Sequence, residues 1–310
     1  MSNQSYILNP LTPLAFLPPD IAYQFTISTY VAIGSVGALV WDILLNFNLD
    51  YQLLFKDTLT FPTAAYFLSR FSVLVYSLLD VIVQTAPLGN HCHSVEKAIC
   101  VFYHIAFSST SLLFFLRVRA VFYRNRLIIL FDFLLWLAVL GGSLTIATVG
   151  GATELGPTKY CQLEPPKGYI SAAPITLTVF DTFVFLAVSW HLISTSCAGN
   201  TNNPRMKGVL LGKYIPAFSR AVLQNGQVYY LVSVTTNLTI ITLSFLSGLP
   251  PIFRYMLIFN CTLTNMMACK VFRNIKFGTF RQTPMPSHAK GSMGSSTKDS
   301  GSRPRAVMKK

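Results

Sequence analysis

The sequence is short of charged residues. Asp, Glu, Lys and Arg make up 11% of its 310 residues, whereas soluble domains average about 25%. Hydrophobic residues make up 52%, and the mean hydropathy is +0.49. Too few charges are present to cover a soluble surface of this size, so the composition is typical of a membrane protein.

Motifs of the common enzyme and metal-binding classes are also missing. The six cysteines form no C-x-x-C pair, and neither G-x-S-x-G nor a Walker A sequence occurs. His91 and His93 flank Cys92, but no third ligand has a matching spacing. Lys270 lies too close to the end of the last apolar segment for a retinal Schiff base. We therefore expect no enzyme activity, no cofactor and no metal site.

Seven apolar segments are long enough to cross a bilayer core of roughly 30 Å, which takes about 20 helical residues. They indicate an all-α, polytopic membrane protein with a seven-helix domain over residues 21–271. The predicted spans are residues 21–45, 61–83, 95–116, 127–149, 169–194, 228–248 and 251–271.

The distribution of Lys and Arg predicts the orientation of these spans. With the N-terminus outside and the C-terminus in the cytoplasm, 19 of the 24 basic residues fall on the cytoplasmic side and four fall outside. The remaining one, Arg70, lies within a span. Because cytoplasmic loops are enriched in basic residues, this is the consistent topology, and it makes the bilayer the first partner of the chain.

Four arginines follow the third span, at Arg117, Arg119, Arg124 and Arg126. They are typical of a cytoplasmic flank, and no soluble module surrounds them that could read nucleic acid. A further role is contact with anionic lipid headgroups or, together with the fifth loop, with a cytoplasmic signalling protein.

The two ends of the chain are expected to lie outside the bilayer. Residues 1–20 form an extracellular segment in which Asn3 begins a glycosylation sequon. Residues 272–280 alternate basic and apolar side chains and favour an amphipathic helix on the membrane surface, with Lys270, Arg273 and Lys276 at anionic headgroups. Residues 281–310 are rich in Ser, Gly, Pro and Lys and are expected to be a disordered basic tail.

Arg70 lies near the middle of the second span, where an unpaired charge costs about 2.5–3.5 kcal/mol or more. It should therefore face the bundle and pair with a carboxylate. Asp42, near the inner end of the first span, is the expected partner, and Asp181, near the middle of the fifth, is the second candidate. A structural ion pair is one interpretation of Arg70; a ligand site or an ion pathway is the other.

Cys92 and Cys161 both fall on the predicted outer side, where disulfides persist. A bridge between them would join the entrance of the third span to the longest outer loop. The alternative is two free thiols.

Several stretches resemble a known family: VWDILLNFNLDYQLLFKDTLTFPTAAYFLSRF, LRVRAVFYRNR, AFSRAVLQNGQVYYLV and LTNMMACKVFRNIKFG. They are similar to a large family of integral membrane proteins of mushroom-forming (basidiomycete) fungi, whose first spans carry a domain of unknown function. Asp42 matches the family's Asp at the end of the first span, and Arg70-Phe71 matches its Arg-aromatic pair. The resemblance implies a seven-span protein and supplies no ligand.

The topology also resembles that of G-protein-coupled receptors, although the third span ends Leu116-Arg117-Val118-Arg119 in place of Asp-Arg-Tyr. We therefore expect a receptor-like or sensory protein of the plasma membrane. The alternative is a transporter or channel for small solutes or ions. The Thr-rich sixth span, with Asn237 among its threonines, is the feature that favours it.

Overall fold

The structure is a computed structural model that describes residues 14, 17–56, 58–147, 152–154, 158–163, 172–198, 228–245 and 252–277. These residues are mainly helical, which confirms the predicted class. The helices are α1 (Pro19–Leu45), α2 (Phe47–Phe55), α3 (Phe61–Thr85), α4 (Cys92–Val121), α5 (Arg126–Ala147), α6 (Ala172–Ala198), α7 (Val228–Phe245) and α8 (Ile252–Lys276).

Five of these helices, α1, α3, α4, α5 and α6, are long and apolar enough to cross a membrane. Many of their large apolar side chains are exposed, including Trp41, Leu127 and Trp190, as expected for helices whose outer surface meets lipid. The last two predicted spans coincide with helices α7 and α8. The apolar part described in α7 is shorter, Val232–Thr242, and α8 is more polar in sequence.

Helix α1 packs through a narrow stripe of mostly small residues. On α1 the buried residues are Ser28, Ala32, Ser35 and Leu39, a spacing of three and four that places them on one face. This face packs against α3 and α8. Small residues let helix backbones approach closely, which is the usual basis of helix association in lipid. Helix α4 lies at the centre and contacts α3, α5, α6 and α8.

The structure contains two elements that the sequence pattern did not predict. Helix α2 occupies the predicted first loop, and strands β1 (Ala152–Glu154) and β2 (Cys161–Leu163) form an antiparallel hairpin in the predicted fourth loop. Helix α4 also continues beyond residue 116, so Arg117 and Arg119 belong to the helix rather than to the loop after it.

The disulfide between Cys92 and Cys161 is present, which confirms the predicted bridge. It joins the first residue of α4 to the first residue of β2, with the two Cα atoms 5.6 Å apart. We call this end of the bundle the disulfide end. Arg70 lies fifteen residues before the end of α3, which leads into α4, so it is about 22 Å along the helix axis towards the opposite end.

Candidate functional site

Arg70 is buried on α3 and faces two carboxylates. One guanidinium nitrogen donates to Asp42 on α1, and another donates to Asp50 on α2. The exposed fractions of the three side chains are only 7%, 19% and 13%, respectively. The structure thus brings Arg70 to the partner expected from the sequence and adds a second carboxylate from α2.

Tyr66, one turn before Arg70 on the same helix face, connects these charges. Its hydroxyl donates to Asp50 at 2.6 Å and accepts hydrogen bonds from Arg70 at 2.9 Å and from Arg273 at 2.8 Å. The Tyr66 side chain is fully buried, and its ring stacks on Phe272 of α8 with centroids 5.1 Å apart. A buried phenol needs hydrogen-bond partners, and here three charged groups supply them.

Arg273 completes the set near the C-terminal end of α8. Besides Tyr66, it donates to Asp42 at 3.3 Å, and it is only 3% exposed. The expectation that Arg273 meets lipid headgroups is therefore wrong, because α8 turns this side chain inward towards α1 and α3. Residues 272–276 continue α8 without a break, and 278–280 lie outside the described residues.

We call Asp42, Asp50, Tyr66, Arg70 and Arg273 the arginine cluster. Two carboxylates balance two guanidinium groups, so the cluster carries no net charge when all four are ionised. Partial burial raises the pKa of Asp50 above its ordinary value, whereas its hydrogen bond from Tyr66 and the positive charges of Arg70 and Arg273 act to lower it. Nearly every polar atom in the cluster has a partner; the exception that stands out is the Nε of Arg70.

Asp181, the second candidate partner of Arg70, lies in a separate polar network between α6, α7 and α8. Its Oδ2 accepts hydrogen bonds from Ser233 and from Asn237, both at 2.7 Å. Asn260 of α8 donates to Asn237 at 2.6 Å, and the hydroxyl of Thr264 lies 3.3 Å from that of Ser233. We call these five residues the Asp181 network.

The Asp181 network is buried throughout. Its members have exposed fractions of 3% or less. The second carboxylate oxygen of Asp181, Oδ1, has no hydrogen-bond partner, and among the described residues no Lys or Arg pairs with this carboxylate. The site therefore combines oriented donors, several oxygen atoms and one uncompensated acidic group.

The threonines that suggested a polar path along α7 do not all converge on this network. Thr236 donates to Asn260 at 2.8 Å and so joins its edge. Thr239 and Thr242 are exposed and bond to backbone carbonyls of their own helix. Threonine can satisfy its hydroxyl in this way within a helix, so a Thr-rich segment alone does not indicate a path.

The four arginines of the third predicted loop lie at the junction of α4 and α5. Arg119, Arg124 and Arg126 are exposed, and Arg117 is partly buried. Their contact with a partner or with lipid headgroups stays a prediction. Asn3, the basic residues of the fifth loop and the tail 281–310 lie outside the described residues.

Sequence reasoning missed Asp50, Tyr66 and Arg273. Tyr66 gave a usable signal, because it lies four residues before Arg70 and so on the same helix face. The sequence around Arg273 was misleading, since a basic residue after a span usually indicates a lipid contact. The sequence around Asp50 gave no signal, because it lies in a segment predicted to be a loop.

Comparison with known proteins does not assign the chain to a family. No protein-family model matches the chain, and no curated protein matches it with significant similarity.

Proposed function

We propose that the chain is a seven-span membrane protein of the cell surface with a receptor-like role, its N-terminus outside and its C-terminus in the cytoplasm. The distribution of basic residues supports this orientation. The position of the disulfide supports it as well, since Cys92 and Cys161 lie on the predicted outer side, where disulfides persist. We also propose that the chain is related to the seven-span membrane proteins of mushroom-forming fungi that its sequence resembles.

The arginine cluster is the observation that carries the receptor-like role. In the proposed topology it lies towards the cytoplasmic end, where Arg273 ties α8 to α1 and α3, and Arg70 ties α3 to α1 and α2. At the opposite end the disulfide joins α4 to β2. The ion pairs can rearrange while this covalent bond stays in place, and such a rearrangement would change the cytoplasmic face of the bundle. The exposed Arg119, Arg124 and Arg126 would present that face to a signalling protein.

Photocrosslinking tests this role. A photoreactive amino acid replaces Arg124, and the matched control replaces Lys159, which is exposed next to β2. We expect a discrete adduct with a cytoplasmic protein from position 124 only. We expect its yield to change at least about threefold in an Arg273→Gln background, because loss of one guanidinium weakens the tie of α8.

No adduct from position 124 in either background would contradict the receptor-like role. Epitope tags at the two termini, detected in intact and permeabilised cells, test the orientation separately. A C-terminal tag accessible in intact cells would overturn the proposed topology.

A transporter or channel for small solutes or ions is the second candidate, and the unpartnered Oδ1 of Asp181 favours it. Buried acidic groups within a bundle are common at ion and proton pathways. Purified protein in proteoliposomes distinguishes the two. Solute or ion flux that Asp181→Asn abolishes would support transport, and an absence of flux together with the position 124 adduct would support the receptor.

A further inference from the structure

The Asp181 network holds a buried carboxylate that no described positive charge balances. Asp181 is 1% exposed, and its Oδ1 has no hydrogen-bond partner. From this geometry we propose that the network is a binding site for a small monovalent cation, with Na⁺ as the ion to test. The proposal does not depend on the function assigned above, because either a receptor or a transporter can hold such an ion.

The hydrogen bonds favour the ionised form of Asp181. Ser233 and Asn237 both donate to the same oxygen, Oδ2, and donors directed at a carboxylate stabilise its negative charge. A proton on Oδ1 would instead need an acceptor for the new O–H group, and no described atom is hydrogen-bonded to Oδ1. A cation at Oδ1 satisfies both oxygens and neutralises the charge.

The network holds the kinds of ligand that a hard cation prefers. Hydroxyl and carboxylate oxygens bind hard cations, and here the Ser233 hydroxyl bonds Oδ2 of the same carboxylate and lies 3.3 Å from the Thr264 hydroxyl. Both hydroxyls keep free lone pairs while they donate. No sulfur or imidazole group is among the described members of the network.

The charge of the site selects a monovalent ion. One carboxylate neutralises one positive charge, and a divalent ion would leave an excess charge inside the bundle. In the part of the chain that the structure describes, no group of three or more His, Cys, Asp or Glu side chains could hold a metal ion, so any ion at Asp181 would have a single carboxylate as its charged ligand.

Space for a water ligand lies beside the network. A cavity of about 10 Å³ lies between Thr264 of the network and Leu177, which lies one turn before Asp181 on α6. Its other lining residues are Phe107, Thr110, Ser111, Phe114 and Cys261, so Thr264, Thr110 and Ser111 are its polar groups. This volume is about that needed by one water molecule. A water there, next to the Thr264 hydroxyl, would add an oxygen to the set offered by the protein.

Thermal unfolding of the purified full-length protein tests the proposal. NaCl is increased while choline chloride is decreased, so that ionic strength stays constant. Because a ligand that binds only the folded state stabilises it, we expect the unfolding midpoint to rise by about 5 °C as the site fills. Asp181→Asn should abolish the rise.

Two variants make the result specific. Asp132→Asn is the matched control, because Asp132 is also a fully buried carboxylate without hydrogen-bond partners but lies outside the network; it should keep the Na⁺-dependent rise. Ser233→Ala removes one proposed ligand and should increase the Na⁺ concentration at half-effect on the order of tenfold.

Three outcomes would overturn the proposal. The first is an unfolding midpoint in the unmodified protein that does not depend on Na⁺. The second is a Na⁺-dependent rise that persists in Asp181→Asn. The third is a midpoint that responds to pH and not to Na⁺, which would assign a proton to Asp181 in place of the cation.

Discussion

Two of the regions in which the bundle buries acidic groups treat them differently. In the arginine cluster, Asp42 and Asp50 face two guanidinium groups and a phenol. In the Asp181 network, one carboxylate faces only neutral donors, and one of its oxygens has no partner. The first region is balanced in charge by the protein itself. The second is not.

This difference separates a structural from a functional explanation of a buried charge. A balanced, hydrogen-bonded cluster needs no bound ion to neutralise it, so it can act as a tie between helices by itself. An unbalanced carboxylate costs free energy unless a proton or a cation neutralises it, and at Asp181 a hydroxyl and an amide group are oriented towards that carboxylate. Asp181 is therefore the stronger candidate for a ligand site, and the arginine cluster is the stronger candidate for a tie between helices.

Replacing Arg70 should have the largest effect, because it removes the charge that two carboxylates share. Arg70→Met keeps the apolar part of the side chain but leaves Asp42 and Asp50 with Arg273 alone. Breaking a buried ion pair from one side costs roughly 3–5 kcal/mol. We expect a sharp loss of surface expression and of the thermal unfolding midpoint in detergent.

The control is Arg119→Met, which replaces an exposed arginine of α4. It should change the free energy of unfolding by less than about 0.5 kcal/mol. Equal stability of the Arg70 and Arg119 variants would show that the arginine cluster contributes little, and the contrast between the two regions would then fail.

The sequence predicts some of this arrangement and hides the rest for definite physical reasons. The helical class and most of the helix positions follow from apolar segments of bilayer length. The Arg70 and Asp42 pair follows from the cost of isolated charges in such segments. Arg273 lies 207 residues from Tyr66 in the chain, and its neighbours in sequence resemble an ordinary basic flank. Only the packing of α8 against α1 and α3 turns it inward.

The Asp181 network was hidden in a similar way. Asp181, Asn237 and Asn260 belong to three helices, and sequence periodicity does not show which faces of different helices meet. Helix α2 and the hairpin were missed because both are short: α2 has nine residues and each strand has three. Apolar segments of bilayer length do not reveal elements of this size.

Removing the disulfide should have the next largest effect and tests whether the ion pairs or the covalent bond hold the bundle more firmly. The bond closes a loop of 69 residues, and disulfides typically contribute about 2–4 kcal/mol by limiting the unfolded chain. Membrane insertion already limits that chain, so we expect the double variant Cys92→Ala/Cys161→Ala to lose about 2 kcal/mol. If the disulfide variant loses more stability than Arg70→Met, the disulfide contributes more to the stability of the bundle than the ion pairs of Arg70.

Two double variants sharpen the description of the arginine cluster. Arg70→Met/Asp50→Asn leaves Asp42 and Arg273 in direct contact at 3.3 Å. Arg70→Met/Asp42→Asn also balances the charges, but no direct contact between the remaining Asp50 and Arg273 is found among the described bonds. We expect the first pair of changes to recover more stability than the second, by about 1 kcal/mol. Thermal unfolding of the two proteins in the same detergent measures the difference, and equal recovery would mean that charge balance alone matters.

The smallest effect is expected from Asp181→Asn when Na⁺ is absent, and it is the sharpest test of the comparison. The change weakens the hydrogen bonds from Ser233 and Asn237, because a neutral amide oxygen accepts them in place of a carboxylate, but it also removes a buried charge that nothing described neutralises. These two contributions oppose each other, so the free energy of unfolding should change by less than about 1 kcal/mol. Arg70→Met, measured under the same conditions, should still lose its full stability of roughly 3–5 kcal/mol. In the arginine cluster the substitution itself leaves two carboxylates with one guanidinium group. A loss of several kcal/mol in Asp181→Asn without Na⁺ would mean that this carboxylate stabilises the fold by itself. The Asp181 network would then be a structural tie like the arginine cluster, and the distinction between the two regions would be lost.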